Sequence, residues 1–374
     1  MTYLRNSWYL AAWHDEIPGS GTIARVILGD PVVLFRNENG EAKALLDRCP
    51  HRFAPLSSGG VADGILACAY HGLAFDGTGA CVVNPHGPVL KSMTVRAYPT
   101  LTAYRGIWIW MGDPELADPA LLPDLSFVDR TPETAFSNGY VCGKGDYRLF
   151  VDNIMDLTHA DYLHPTTLGG GSWTQTPGKV TDNGSSLKIH WDSKNNVPFP
   201  LIAKALKFGS QLVDSFTEVE WFPASIMTLR TGSAPAGVPM SEAGTFLNLH
   251  IMTPEVPGRT HYFYASTRNF ALDDVELNKM YSEARAQVFA TEDKPMIELQ
   301  QSRIGDHDFW DLNPILLRTD EGAVRVRRKL DEMIRREQVE HIDETMKLPC
   351  SSATTNCSVA DKKNASGKGD KLAS

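Results

Sequence analysis

The chain is short of several things, and each shortage removes a class of function. Basic residues are outnumbered, 36 Lys and Arg against 45 Asp and Glu, which leaves a net charge of −9. A nucleic-acid partner, whose phosphates demand a basic face, is therefore not expected. No apolar run approaches the roughly twenty residues of a membrane span. The start, Met1-Thr2-Tyr3-Leu4-Arg5, lacks the basic and apolar regions of a secretion leader, so the expected location is the cytoplasm. No Gly-rich dinucleotide fingerprint or flavin motif is visible, so the chain is not expected to bind NAD(P)H itself. Cysteine is sparse, with 6 in 374 residues. Cys81 and Cys142 read as small hydrophobes rather than a disulfide, and Cys350 and Cys357 fall in a polar stretch, a usage that suits a reducing compartment.

The two remaining cysteines carry the strongest signal. Cys49-Pro50-His51 is followed by sixteen residues and then Cys68-Ala69-Tyr70-His71. Two thiolates and two imidazoles fit a Rieske [2Fe–2S] cluster, in which imidazoles on one iron raise the reduction potential. A structural zinc site shares the ligand set. A zinc finger, however, pairs Cys with Cys and His with His along the chain, whereas here each segment supplies one of each.

Around these motifs the first third reads as short strands and turns. Strands are expected at 24–28, 32–35, 42–46, 73–75, 81–83 and 107–111, with turns at Asn37-Glu-Asn-Gly40 and Asp76-Gly-Thr-Gly79. The Pro-rich run 112–124 looks like a linker, placing a boundary near residue 125. Longer strands follow at 216–221, 245–252 and 261–267, with helices near 149–163, 275–291 and 320–336. From about Gln338 periodicity fades and a polar tail (338–374) is expected. The expected fold is α+β: an all-β cluster domain (1–125), then a catalytic domain (126–337) with a central antiparallel sheet flanked by helices.

Such a second domain has to use the electron. Between Val151 and His164 lie Asp152, Asn153, Asp156, His159 and His164. Asp156 and His159 fall on one face of a regular helix, while His159 and His164 diverge by about 140°. The two histidines share a metal only if the helix ends or widens between them, and Pro165 disfavours helical geometry at His164. Two histidines with one carboxylate form the facial triad of non-haem Fe(II) oxygenases. The plain alternative is an amphipathic helix with its polar face in water. Glu292 and Asp293, at a helix break before Pro295, are equal candidates for the carboxylate by charge alone; first-turn acidity is their structural role.

These residues resemble the Rieske non-haem iron oxygenases, in the O-demethylase branch that includes the vanillate and dicamba enzymes. The matching segments are Asn6-Ser-Trp-Tyr-Leu-Ala-Ala12, Cys49-Pro-His-Arg-Phe-Ala-Pro-Leu56, Cys68-Ala-Tyr-His-Gly-Leu73, Asn84-Pro-His-Gly87, Leu149 to Asp156 with His159 and His164, His261 to Tyr264 with Arg268-Asn-Phe270, and Glu292-Asp293. The resemblance implies Asp293 as the third iron ligand and Asn153 as a residue that approaches the iron. It implies a head-to-tail homotrimer in which Asp156 bridges His71 of one protomer and His159 of its neighbour. It implies an oxygenase component fed by a reductase or ferredoxin, using NAD(P)H only indirectly, with O2 and a small aromatic acid as substrates. Hydroxylation of an O-methyl group would release formaldehyde and a phenol. Another Rieske monooxygenase or dioxygenase activity, or a pure electron carrier, is the alternative. Candidate substrate contacts are Asn248 and His250, on one face of a strand, and Arg230. His250 resembles a substrate-contacting histidine of the family, against the alternative of a histidine satisfied within the sheet. Arg230 is a partner for a carboxylate or else an exposed strand arginine.

Overall fold

The computed structural model describes residues 3–169 and 173–347, with side chains as far as residue 340. Short strands bounded by Gly and Asp turns make up the N-terminal third. Trp8–Trp13, Gly106–Trp110 and Thr100–Ala103 form one antiparallel sheet; Ile23–Ile27, Asp30–Arg36, Ala42–Leu46 and Ala97–Tyr98 form a second. A third, Gly60–Ala62, Ile65–Ala67, Ala74–Phe75 and Cys81–Val83, carries the two Cys/His segments at its end. The expected strands in this region are all present to within two residues. The Pro-rich run 112–124 forms two single 3₁₀ turns, each starting with an Asp (Asp113, Asp118) whose carboxylate accepts a backbone N–H two residues on.

The remainder is built on one seven-stranded antiparallel sheet. Its order is Ser137–Gly143, Arg259–Arg268, Gly244–Val256, Ile226–Pro235, Val213–Phe222, Leu187–Asn196 and Lys179–Asp182. Four of these strands were not among the expected ranges: Ser137–Gly143, Lys179–Asp182, Leu187–Asn196, and Ile226–Pro235, which was expected only as an unbounded strand carrying Arg230. Ser137–Gly143 and Lys179–Asp182 are the sheet edges and carry Gly and polar residues that leave no apolar run, whereas Leu187, Ile189 and Trp191 do alternate into the core, a period-two signal that the sequence reading missed.

Tryptophan joins the N-terminal sheets to this large sheet. Trp8, Trp13, Trp108 and Trp110 are buried with Phe263, Leu249 and Ile251. Each fully buried ring contributes on the order of 2–3 kcal/mol. Each indole N–H still finds a carbonyl, on Asp118, Gly139, Ala103 and Asp113 respectively. Thr253 also donates to the carbonyl of Leu10 at 2.8 Å. The platform under the candidate site is therefore stiff.

Helical segments cover one face of the large sheet. The helix expected over 149–163 is broken: Tyr147–Met155 is α-helical, Leu157–His159 is a 3₁₀ turn, and Ala160–Leu163 resumes. Asp156, with φ −128° and ψ 98°, ends the first piece and caps the next. Arg327 forks onto Asp152 at 2.6–3.0 Å and, being buried itself, ties this segment to the last helix. That helix runs Glu321–Lys347 rather than stopping near Arg336. Its extra turns keep apolar residues at helical spacing (Val339, Ile342, Met346) and contain no Pro or Gly before Pro349, so nothing in the sequence stops the helix at Arg336. The expected tail beyond Lys347 lies outside the described residues. Among the described residues no helix is long and apolar enough to cross a membrane.

Candidate metal centres and cavity

The two Cys/His loops close with the same pair of backbone hydrogen bonds, although the histidine is the third residue of one and the fourth of the other. Cys49 N donates to Ala54 O (2.8 Å) and Phe53 N to Cys49 O (2.9 Å); Cys68 N donates to Leu73 O (2.8 Å) and Gly72 N to Cys68 O (3.0 Å). The fifth residue of each loop has positive φ, 60° at Phe53 and 74° at Gly72, so each chain reverses and returns its histidine beside its cysteine. The loops place the His51 and His71 rings 4.5 Å apart, edge to face, over two buried free thiols. Burial, then the neighbouring Cys68, pushes the Cys49 thiol up. Nδ1 of His71 is buried without a hydrogen-bond partner. A buried imidazole nitrogen without a partner is costly unless a cation binds it. The donor set fits an iron–sulfur cluster. Cys81 is buried and Cys142 half-buried, and both are free thiols.

The second centre is assembled from distant pieces. The break at Asp156 turns His159 inward, and His164, before Pro165, leaves the helix at φ −119°, ψ 41° as expected. The carboxylates come from a π-helical turn. Val275–Val288 passes through Phe289–Asp293 as a π-helix into Lys294–Ile304, so the expected break is a continuous helix with one widened turn. Pro295 lacks the N–H that an α-turn needs there, and widening absorbs the missing bond. In this turn both acids face His164: its Nδ1 lies 2.6 Å from Glu292 Oε2 and its Nε2 lies 2.9 Å from Asp293 Oδ1. Nε2 of His159 is 3.4 Å from the same Asp293 oxygen. Two ligands held on one ion by bonds of about 2.1 Å at right angles stand roughly 3 Å apart. The donor set fits a divalent ion, with each histidine fixed from behind. His159 Nδ1–H donates to the backbone carbonyl of Asp156 at 2.6 Å, and His164 Nδ1–H to Glu292.

This geometry corrects one expectation. Glu292 is an orienting partner of His164, not merely first-turn acidity. Within one chain Asp156 meets His159 through its carbonyl; its carboxylate accepts from Thr158 N (2.9 Å) and Oγ1 (2.7 Å). Asn153 donates to Asp293 at 3.0 Å and lies 3.3 Å from His159 Nε2. Burial would raise the Asp293 carboxyl, but hydrogen bonds from His159 and His164 hold it well below the usual carboxylate range. A second group, Cys142, Glu255 and His261, has comparable spacing. There both His261 nitrogens are already bonded, to Tyr140 OH and Val26 O, and Arg259 neutralises Glu255, so that group is complete without an ion.

His159, His164 and Asp293 form one wall of a cavity of about 130 Å³ between the sheet and the helices. Its other walls are mostly apolar or aromatic, including Leu229, Trp173, Phe199, Tyr262, Tyr264 and Phe289. Asn248 and His250 line it from one strand face, as expected. His250 Nδ1 is 2.5 Å from Tyr262 OH, while its Nε2 is buried without a partner. Burial first, and then the positive field of Arg285, pushes its pKa well below the ordinary histidine value. Asn248 Oδ1 accepts from Ser266. Arg230 does not line the cavity. Leu229 and Thr231 do, and strand alternation turns Arg230 outward over the Phe216 ring, 5.1 Å away. The cationic residue of the cavity is Arg285, which sequence reading passed over although it lies on the same helical run as Asp293.

Residues 7–99 match the Rieske [2Fe–2S] domain model, and residues 144–336 match the model of the vanillate O-demethylase oxygenase C-terminal domain. The chain belongs to the Rieske oxygenases of the vanillate O-demethylase type. It is 38% identical to the dicamba O-demethylase oxygenase component of Stenotrophomonas maltophilia, across 89% of this chain and 98% of that one. The chloroacetanilide N-alkylformylase oxygenase component of Rhizorhabdus wittichii is 34% identical, across 90% and 97%. Dicamba monooxygenase bound to 3,6-dichlorosalicylic acid superposes with a TM-score of 0.85 at 36% identity, covering 90% of this chain and 99% of the other. The fold is that of a Rieske oxygenase: all-β cluster region, then a large antiparallel sheet with helices.

Proposed function

We propose that this chain is the terminal oxygenase component of an aromatic O-demethylase, acting in the cytoplasm on a small methoxylated aromatic acid. The observation that carries the reading is a single-ring-sized apolar cavity walled by His159, His164 and Asp293. A cavity of about 150 Å³ lined by Leu, Ile and Phe holds a benzene ring, which sets the scale. Similarity to the dicamba O-demethylase component supports the reaction. In this reading residues 1–125 form the cluster domain and 126–337 the catalytic domain. Cys49, His51, Cys68 and His71 hold the [2Fe–2S] cluster, and His159, His164 and Asp293 hold Fe(II). When bound, these groups supply single electrons and the activation of O2.

The chain's own residues do the rest. Asp156 and Glu292 fix the two histidine tautomers so that both Nε2 atoms face the same point. Asn153 orients Asp293. The aromatic walls exclude bulk water and hold the ring, and His250 Nε2 offers a hydrogen bond to a ring substituent. The net conversion is ArOCH3 + O2 + NADH + H+ → ArOH + CH2O + H2O + NAD+, with NADH oxidised on a separate reductase that passes electrons directly or through a ferredoxin.

A head-to-tail homotrimer belongs to the same reading. No hydrogen bond joins His71 to Asp156 among the described residues, so a bridge between them requires a neighbouring copy. Exposed apolar side chains flank both ends, Phe53 and Tyr70 at the cluster loops and Leu299, Ile315 and Leu317 in the groove beside Asp156. Such paired patches support self-association.

The N-alkylformylase relative favours a second reading, oxidation of a different alkyl or aryl C–H bond in the same cavity. One assay separates the two. Enzyme, reductase and NADH are incubated with vanillate, syringate, dicamba and methoxybenzoates, and formaldehyde is measured against oxygen consumed. Equimolar formaldehyde supports the proposal; oxygen uptake coupled only to non-methoxylated compounds moves the chain to the second reading.

A further inference from the structure

Arg285 sits where a mostly apolar cavity would not ordinarily take a charge. Its guanidinium Nη1 donates to Ser266 Oγ and to the backbone carbonyl of Ala265. The Tyr264 and Tyr281 rings lie 5.9 and 6.0 Å from its centre, one on the sheet and one on its own helix. Among the described residues it forms no ion pair, and Nε and Nη2 have no partner there. Arg285 is part-buried at the cavity wall, and an arriving anion that accepts its free N–H groups gains charge-assisted hydrogen bonds there. The fork geometry suits a planar carboxylate or a sulfonate. Arg285 precedes Asp293 by eight residues, about 12 Å along a helix. Arg285 and Asp293 of the His159/His164/Asp293 group are thus separated along the helical run while lining the same cavity as His250.

We propose that Arg285 determines substrate specificity by binding an anionic ring substituent, a carboxylate or a sulfonate, so that the opposite end of the ring lies at the His159/His164/Asp293 cluster. The inference rests on the oxygenase reading above and names the residue that selects acids within it. Arg285 positions substrate and takes no part in proton or electron transfer.

The test compares wild type, Arg285→Gln and Arg285→Lys as full-length protein carrying cluster and iron, with cluster absorbance and iron content as checks of integrity. Calorimetric binding of benzoate and benzenesulfonate is set against that of the neutral isostere benzamide. Wild type should favour both anions. Arg285→Gln should lose at least about tenfold in anion affinity, the scale of a charge-assisted hydrogen bond, and leave benzamide unchanged. Arg285→Lys should recover part of the anion preference. A preference for one anion alone assigns the headgroup. Equal weakening of anions and benzamide, or no change in either, overturns the proposal. In parallel, formaldehyde from methoxybenzoates separates the two readings. An Arg285-dependent anion preference without formaldehyde sinks only the O-demethylase reading. Formaldehyde release that is indifferent to Arg285 and to substrate charge sinks only this inference.

Discussion

The two metal centres of this chain are built by opposite strategies. The cluster centre comes from two short loops 19 positions apart, each closed by the same pair of backbone hydrogen bonds around one cysteine. The His159/His164/Asp293 centre joins segments 129 positions apart, and depends on a break at Asp156 and a π-turn at 289–293. A local centre is set by turn chemistry and tolerates change elsewhere. A long-range centre is set by how two helices lie on the sheet, so its supporting partners matter nearly as much as its ligands.

The sharpest way to break this comparison is at the cluster. Cys68→Ser should abolish the visible absorption of a Rieske centre and all turnover while much of the fold remains. Stoichiometric zinc without acid-labile sulfide in the wild-type protein would overturn the assignment. Next, Asp293→Ala or His159→Ala should lower iron from about three atoms per chain to about two and remove activity, with the cluster spectrum intact. Loss of both signals together would mean that the centres are not independent.

Smaller effects test the supporting partners. Asp156→Asn should retain both metals yet slow single-turnover oxidation of a prereduced cluster by about a hundredfold; a wild-type rate would sink the bridging role. Glu292→Gln keeps an oxygen acceptor for His164 Nδ1–H, so iron affinity should fall only about tenfold, read by chelator competition. A total loss of iron there, with Asp293→Ala mild, would reverse the roles of the two acids. Smallest of all, His250→Ala should raise KM about tenfold through one lost hydrogen bond and leave metal content unchanged. An equal fall in kcat at constant KM would place His250 outside ground-state binding.

Legibility followed the same division. Cys49, His51, Cys68 and His71 could be picked out as candidate ligands because ligand type and spacing are written within one short stretch. His159 and His164 were readable as a pair, with Pro165 as the reason their divergence could be overcome. The identical closure of the cluster loops was not readable, because Phe53 reaches positive φ without being a glycine. The edge strands of the large sheet also escaped notice, since their open faces carry polar residues. Arg230 was read as a carboxylate partner or an exposed strand arginine, and the second holds; Arg285 was not considered, since which face of a strand or helix meets the cavity is a matter of register, and one residue of register reverses it.

The sequence by itself determined the ligand chemistry: two thiolates and two imidazoles in one set, two further imidazoles and an acidic pair in another. It also determined the turns and breakers that release those groups from regular structure. Only the tertiary structure separated Glu292 from Asp293 in space, placing one carboxylate at His164 Nδ1 and the other at His164 Nε2. It likewise turned Arg230 to solvent and brought Arg285 to the cavity. The reason is directional. Residue type and local spacing fix what a side chain can bind, but where it points depends on backbone geometry set by packing against segments far away in the chain.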